Sequence, residues 1–355
     1  MKKKELYSLG IMSGTSLDGL DFSIIRSDGK KKIKVLFNSN FKIKNEIKEN
    51  IYKLIKKFNA LNFSNVVNSD FYKRINSSFS KLIIKKINIF LKKNKFELSK
   101  IDLIGMHGNT LFHKPKEKIS LQLGDPILLA NQLKKPVVCN FRKNDIFLGG
   151  QGAPLVPVFH RLIFSKKNKN IMVVNIGGIS NFTLLVGTKR IFASDIGPGN
   201  ALIDKFCNLK FNKLFDEGGK IAASGDVIYE LINKWLKKDF LKMQIPKSFD
   251  NYFFKLIDFA GLSKKNPTDL LRTLTFFTAK IIVESQIFLK FRIDEWIFCG
   301  GGVMNKTLMR DVKDLLKGKK NTISDEMGFD SDFIESQAFA YIATRTIKNL
   351  PSAFP

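Results

Sequence analysis

Four glycine-rich turns and a few carboxylates are the residues of this chain whose types and spacing could do chemistry. The turns are Ser13–Gly19, which holds Gly14, Thr15, Ser16, Leu17 and Asp18, then Gly177-Gly178, Gly197-Pro198-Gly199-Asn200 and Gly300-Gly301-Gly302. Glycine lets a backbone approach an anion and present its amides to it. One such loop is an ordinary turn. Four, each beside an expected strand end, point to a nucleotide held in a cleft between two domains. None is a Walker A loop, because Gly218-Gly219-Lys220 is followed by Ile221 rather than Ser or Thr, and none is GxGxxG.

The carboxylates near these turns are candidates for proton transfer. Asp18 and Asp21 sit in and just after the first turn. Asp195 follows an expected strand, Ile191–Ser194, and Asp204 lies on the helix expected next. Asp195 is placed to act as a general base on a rigid element, and equally to cap a helix over 199–208. Glu335 opens the last expected helix, where a negative charge is also favourable without any function. His107, His113 and His160 are the only histidines and show no zinc-binding spacing, although His107 beside Gly108 could hydrogen-bond a substrate.

The elements that must position these residues are legible in outline. Tyr7–Met12, Phe22–Arg26 and Lys32–Phe37 read as strands, with Asp28-Gly29 a hairpin signal. Residues 43–97 are lysine-rich with apolar positions at helical spacing. Leu103–Met106 reads as a strand running into His107-Gly-Asn-Thr110, and Asp125 as the cap of a helix over Pro126–Gln132. Residues 141–155 read as a glycine-rich loop, with a helix started by Pro154 and Pro157. Strands then restart at Asn170–Asn175 and Phe182–Val186, helices are expected near 199–208, 226–238, 267–291, 304–317 and 333–349, and Ile297–Cys299 runs into the triple glycine. Strand, glycine turn, strand is thus given twice. The class is α/β in two domains, 1–141 and 142–355, with the last helix a candidate to pack back on the first.

Composition narrows the function. Of 355 residues 44% are hydrophobic, which excludes a disordered or fibrous chain, and no apolar run is long enough to span a membrane. Three scattered cysteines suggest neither a disulfide framework nor structural zinc, and with no apolar leader a reducing cytoplasm fits. The net charge of +28 suggests a nucleic-acid binder. Only nine of sixty cations are arginine, however, and the lysines alternate with Asn, Ile and Phe along the whole chain. That pattern reads as compositional drift, so no nucleic-acid partner is expected.

The motifs also resemble a family when taken in order. Gly10-Ile-Met-Ser-Gly-Thr-Ser-Leu-Asp-Gly-Leu-Asp21, Met106-His-Gly-Asn-Thr110, Leu121-Gln-Leu-Gly-Asp125, Gly149-Gly-Gln-Gly-Ala-Pro-Leu-Val-Pro157, Asn175-Ile-Gly-Gly-Ile-Ser-Asn181, Asp195-Ile-Gly-Pro-Gly-Asn200, Cys299-Gly-Gly-Gly302 and Glu335-Ser-Gln-Ala-Phe-Ala340 resemble the anhydro-N-acetylmuramic acid kinases. The resemblance implies an actin-like fold, as in sugar kinases, Hsp70 and actin, with two ribonuclease-H-like domains around a central cleft. It implies use of ATP and Mg²⁺ to open 1,6-anhydro-N-acetylmuramic acid and phosphorylate O6 in peptidoglycan recycling, by a homodimer. It also implies roles. Asp195 would be the catalytic base. Gly14, Thr15, Ser16, Leu17, Asp18, Gly19 and Asp21 would form the ATP phosphate loop, with Asp18 near the transferring phosphate or its Mg²⁺. Gly177 and Gly178 would add a second phosphate turn, Gly197, Gly199 and Asn200 further cofactor contacts, and Gly300, Gly301 and Gly302 the adenosine loop. His107, Asn109, Thr110, Arg142 and Glu335 would line the sugar.

Three stretches depart from the family pattern. Asn140-Phe-Arg-Lys-Asn-Asp145 stands where the family usually has Asp-Phe-Arg-Arg-Arg-Asp, Asn109 stands for glutamine, and Pro246-Lys-Ser-Phe-Asp-Asn251 stands for Pro-Lys-Ser-Thr-Gly-Arg. The changes bear on sugar affinity, because arginine forks onto a carboxylate as lysine does not. A kinase acting on another sugar is therefore the alternative reading.

Overall fold

In the computed structural model, which describes residues 4–14, 17, 19–60, 63–237, 245–247 and 264–352, the chain forms two compact units. The first comprises 1–162 and 333–355, and the second 163–332.

The first unit opens with β1 (Leu6–Ser13), β2 (Gly19–Ser27) and β3 (Ile33–Lys42), an antiparallel meander longer than the apolar runs alone indicate. Three helices follow, α1 (Asn45–Ala60), α2 (Phe63–Val67) and α3 (Asp70–Lys93). Ser69 caps α3 by accepting the Tyr72 amide at 3.2 Å. Ile75, Phe79, Ile83, Ile87 and Phe90 are buried on α3 at a spacing of three or four, while Lys81, Lys85, Lys92 and Lys93 are exposed. The lysines of this helix are a solvated face. Then come β4 (Leu103–Lys114), β5 (Ile119–Leu123), α4 (Pro126–Leu133), β6 (Val137–Val138), α5 (Lys143–Phe147) and α6 (Pro157–Phe164). Asp125 caps α4, as read from the sequence, by accepting the Ile127 and Leu128 amides. The sheet order is β3-β2-β1-β4-β5, with β4 parallel to β1 and β6 also on β4.

The second unit repeats this plan. β7 (Asn170–Ile176), β8 (Ile179–Val186) and β9 (Arg190–Pro198) form the meander. α7 (Asn200–Phe211), α8 (Lys220–Ala223), α9 (Tyr229–Leu236) and α10 (Pro267–Glu284) precede β10 (Glu295–Cys299), α11 (Lys306–Leu316) and β11 (Asn321–Ile323). The order is β11-β10-β7-β8-β9, with β10 parallel to β7. Arg272 of α10 grips Asp311 of α11 through two hydrogen bonds, one of 2.8 Å, and both side chains are largely buried. Two copies of one sheet plan make this an actin-like α/β fold.

The last helix, α12 (Ile334–Ile347), completes the first unit. It lies on β1, β2 and β4. A Cβ on Gly10 would come within 1.9 Å of the Ser336 carbonyl oxygen, and one on Gly105 within 2.3 Å of that of Phe339. These two glycines are the slot that admits the helix. The slot is polar as well as tight: Ser8 bonds Thr344 at 2.5 Å and Ser23 bonds Ser336 at 2.6 Å, all four side chains being buried.

The unit boundary at 162/163 differs from the expected 141/142. Residues 142–152 are bound to the first unit by side-chain contacts that no local pattern announces.

Candidate active site

In the first unit the candidate residues gather at the ends of β1 and β4. Pairing between these strands slips by one residue, Ile11 facing Met106 but Met12 facing Gly108, so that His107 is a bulge. Gly108 permits this, with φ +74° and a Cβ position only 2.1 Å from the Leu123 carbonyl oxygen. The strand therefore runs through His107–Thr110 to Lys114 instead of ending before it.

His107 is buried, with its ring 4.5 Å from that of Phe339. Its Nδ1 donates to the Gly108 carbonyl at 3.0 Å, and Nε2 accepts from Arg142 Nε at 3.2 Å and Nη2 at 2.9 Å. Loss of solvation, helped by the Arg142 charge, lowers its pKa to about 3. Both ring nitrogens are thus committed to protein partners, and His107 orients Arg142. Arg142 Nη1 also donates to the Gly152 carbonyl at 2.7 Å. The glycine loop behind it is folded on Asp145, whose Oδ2 accepts the Gly152 amide at 2.6 Å. Asp145 is a positioning residue to which the sequence reading gave no role, and its sequence signal is that it keeps the final aspartate of the family pattern over 140–145. Glu335 of α12 is half-buried, and desolvation raises its pKa above the usual carboxylate range against the pull of the Arg142 charge. His107, Arg142 and Glu335 are therefore brought together. Thr110 is half-buried on β4 opposite Gln122.

Asn109 is fully buried, and its Nδ2 donates to the Gly14 carbonyl at 2.7 Å. In the turn itself Leu17, at φ +56°, is wholly buried in the first core and gives its amide to the Gly14 carbonyl at 3.0 Å. Its side chain anchors the turn from below. Gly19 is overlaid by Asn40, whose Nδ2 donates to Asp21 Oδ1 at 2.7 Å, so Asp21 is engaged with β3. Thr15, Ser16 and Asp18 lie outside the described residues.

In the second unit Asp195 lies within β9 opposite Asn181, half-buried, not at a strand end. It caps no helix, since α7 begins after Gly199. Its amide donates to the Lys247 carbonyl at 3.0 Å, and the Lys247 amide donates to Ser194 Oγ at 2.9 Å, which pins residues 245–247 along β9. Burial lowers the Lys247 pKa while the nearby charge of Asp195 raises it. A cavity of about 150 Å³ opens here, its lining including Asp195, Lys247, Glu284 and Phe288. Asp204 stands half-buried on α7.

The glycines of this unit divide by what the fold demands of them. A Cβ on Gly199 would sit 2.2 Å from the Gly177 carbonyl oxygen, one on Gly300 the same distance from Asn175 Oδ1, and one on Gly302 as close to the Ile176 side chain. Packing requires those three. At Gly177 and Gly178 a Cβ would meet only ordinary contacts, and at Gly301 nothing within 4 Å. There the absence of a side chain leaves open space, as a ligand that must touch backbone requires. Gly197 is buried in β9 opposite Ser180. The amides of Gly199, Asn200 and Ala201 donate to the carbonyls of Gly178, Gly177 and Gly178 at 3.0, 2.8 and 3.1 Å. The Gly177-Gly178 turn therefore caps α7, taking up the Gly199 and Asn200 amides.

Comparison with known proteins decides the family. A sequence model of the family anhydro-N-acetylmuramic acid kinase matches residues 6–355. The anhydro-N-acetylmuramic acid kinase of Pelagibacter ubique is 40% identical over 364 residues, covering 98% of this chain and 94% of the relative. That of Rhodopseudomonas palustris is 35% identical over 352 residues, covering 98% and 94%. The chain belongs to the anhydro-N-acetylmuramic acid kinase family. A solved structure, the (R)-2-hydroxyglutaryl-CoA dehydratase component A of Acidaminococcus fermentans, shares the fold with a TM-score of 0.51 at 12% identity, covering 97% of this chain and 99% of that one.

Membership of a kinase family raises the question of how a nucleotide fits. The open positions at Gly177, Gly178 and Gly301 suit one, since they expose backbone where a Cβ would otherwise stand. Among the described residues no group of three or more His, Cys, Asp or Glu could enclose a metal ion. A magnesium ion carried on nucleotide phosphates needs no such cage, only one or two carboxylates.

Proposed function

We propose that this chain catalyses the reaction of its family, in which 1,6-anhydro-N-acetylmuramic acid, water and ATP give N-acetylmuramic acid 6-phosphate and ADP. The match of the family over residues 6–355 carries the reading. In it, water adds at the anomeric carbon, the bond from that carbon to O6 breaks, and O6 receives the γ-phosphoryl group. The proton lost by the water goes to Asp195.

The chain's own residues have distinct roles. Asp195 holds the proton-accepting carboxylate on a strand, where the Lys247 backbone fixes its position. Arg142, clamped by His107 and the Gly152 carbonyl, presents a fixed cation suited to a sugar acid's carboxylate. Glu335, whose pKa burial raises against the pull of the Arg142 charge, is placed to hydrogen-bond a sugar hydroxyl. Gly177, Gly178 and Gly301 present backbone to the nucleotide, and the first turn its remaining amides. Mg²⁺, with Asp18 its candidate ligand, would supply charge neutralisation on the phosphates.

A cytoplasmic homodimer acting in peptidoglycan recycling, without a nucleic-acid partner, completes the proposal. The departures at 140–145 leave Arg142 itself in place, which favours the family's sugar over a different one. The test is ADP release from MgATP with and without 1,6-anhydro-N-acetylmuramic acid. Sugar-dependent ADP and a ring-opened 6-phosphate are expected. Folded protein that binds ATP but ignores the sugar would refute the substrate and send the search to other amino sugars.

A further inference from the structure

The resemblance places Asn109 on the sugar, whereas the structure places it under the nucleotide turn. The bulge at His107 directs consecutive side chains of β4 to different partners, His107 to Arg142 and Asn109 to the end of β1. Asn109 pairs with Ser13 across the parallel ladder, is fully buried, and gives its Nδ2 to the Gly14 carbonyl at 2.7 Å and more distantly to that of Ser13 at 3.5 Å. The carbonyl partner fixes which end of the amide is the donor. The other end, Oδ1, is buried and has no hydrogen-bond partner among the described residues, nor has the neighbouring Ser13 hydroxyl. A residue kept for stability would have both ends satisfied, because an unmet buried acceptor is costly. The side chain is thus retained for what its donor does to the turn.

We propose that Asn109 is a positioning residue for the nucleotide, which sets the direction of the Gly14 carbonyl and with it the amides of the turn that follows. It does not touch the sugar. The shorter arm suits this role, because Asn109 and Ser13 are neighbours on adjacent strands, a span that an asparagine bridges without folding.

The proposal rests on the kinase reading, but part of its test does not. In nucleotide-free protein, Asn109→Ala should speed hydrogen exchange in the peptide spanning Ser13 and Gly14 while leaving the Arg142 peptide unchanged. Binding of a non-hydrolysable ATP analogue, measured by calorimetry, should weaken about tenfold, the scale of one buried hydrogen bond. The KM for ATP should rise likewise and that for the sugar stay within about twofold. Asn109→Gln, which keeps the donor, should restore most of the nucleotide affinity. If the alanine variant does not fold, Asn109→Leu, close in shape and lacking a donor, takes its place. Unchanged exchange at the turn, a rise in the sugar KM alone, or a failure of Asn109→Gln to outperform the variants without a donor would overturn the proposal. An absence of sugar-dependent ADP in the unaltered protein would refute the substrate instead, and the exchange and calorimetry would still decide the role of Asn109.

Discussion

Replacing His107 with glutamine should make the protein less sensitive to acid by an amount that the structure fixes. The unfolded imidazole titrates near 6.5, and burial lowers the folded value to about 3. Between these limits the unfolded chain binds a proton that the native protein refuses, so stability falls as pH falls below 6.5, and the loss is complete near 3. At pH 5.5 the unfolded state gains a factor of about eleven from this one group, or about 1.4 kcal/mol, and at pH 7.5 almost nothing. Glutamine cannot take up that proton, yet its amide oxygen can still accept from Arg142. Urea unfolding of both proteins at pH 7.5 and 5.5 is the assay. Far-ultraviolet circular dichroism is the suitable probe, since Trp235 and Trp296 both lie in the second unit and would not report on the first. The unaltered protein should lose about 1.4 kcal/mol more than the variant. Groups other than His107 are common to both proteins and cancel in the difference. Equal losses would refute the claim that His107 is held neutral.

Asp195→Asn should fold, bind nucleotide normally and lose about 10² to 10⁴ in kcat, read as sugar-dependent ADP release. Near-normal turnover would remove Asp195 from the base's role. Gly301→Ala should keep its melting temperature but weaken nucleotide binding, whereas Gly300→Ala, at φ +83° and against Asn175, should lower the melting temperature. Asp311→Ala should destabilise the protein by about 3 kcal/mol, because it strands the largely buried Arg272 without its carboxylate, and denaturant titration checks it.

The fold was readable from the sequence where periodicity and turn chemistry act locally. The duplicated strand-turn-strand openings, the lysine-faced helices and the Asp125 cap needed only neighbouring residues. The His107 bulge was not readable, because it depends on Leu123 crowding Gly108 from another strand. The same holds for the attachment of Arg142 to the first unit, through His107, 35 residues away in the chain. In the site, the sequence located the glycine turns but could not tell glycines that the backbone needs from glycines that leave space. Gly199 and Gly301 look alike as letters. One is crowded by a carbonyl at 2.2 Å and the other faces nothing within 4 Å. The buried Leu17 side chain makes a related point: proximity to a motif in the chain does not say which way a side chain points.

The slot formed by Gly10 and Gly105 has a consequence for how the protein is made. A ribosome delivers β1, β2 and β4 before the second unit, but α12, which lies on all three, only after it. At about 5–20 residues per second, the first sheet must wait on the order of ten seconds or more for its covering helix. The second unit, continuous from 163 to 332, has all of its own strands and helices before the first unit does. A chain cut short before residue 333 would carry an intact second unit and a first sheet whose Gly10–Gly105 face is uncovered, its Ser8 and Ser23 hydroxyls without their helix partners, a natural substrate for chaperones and proteases.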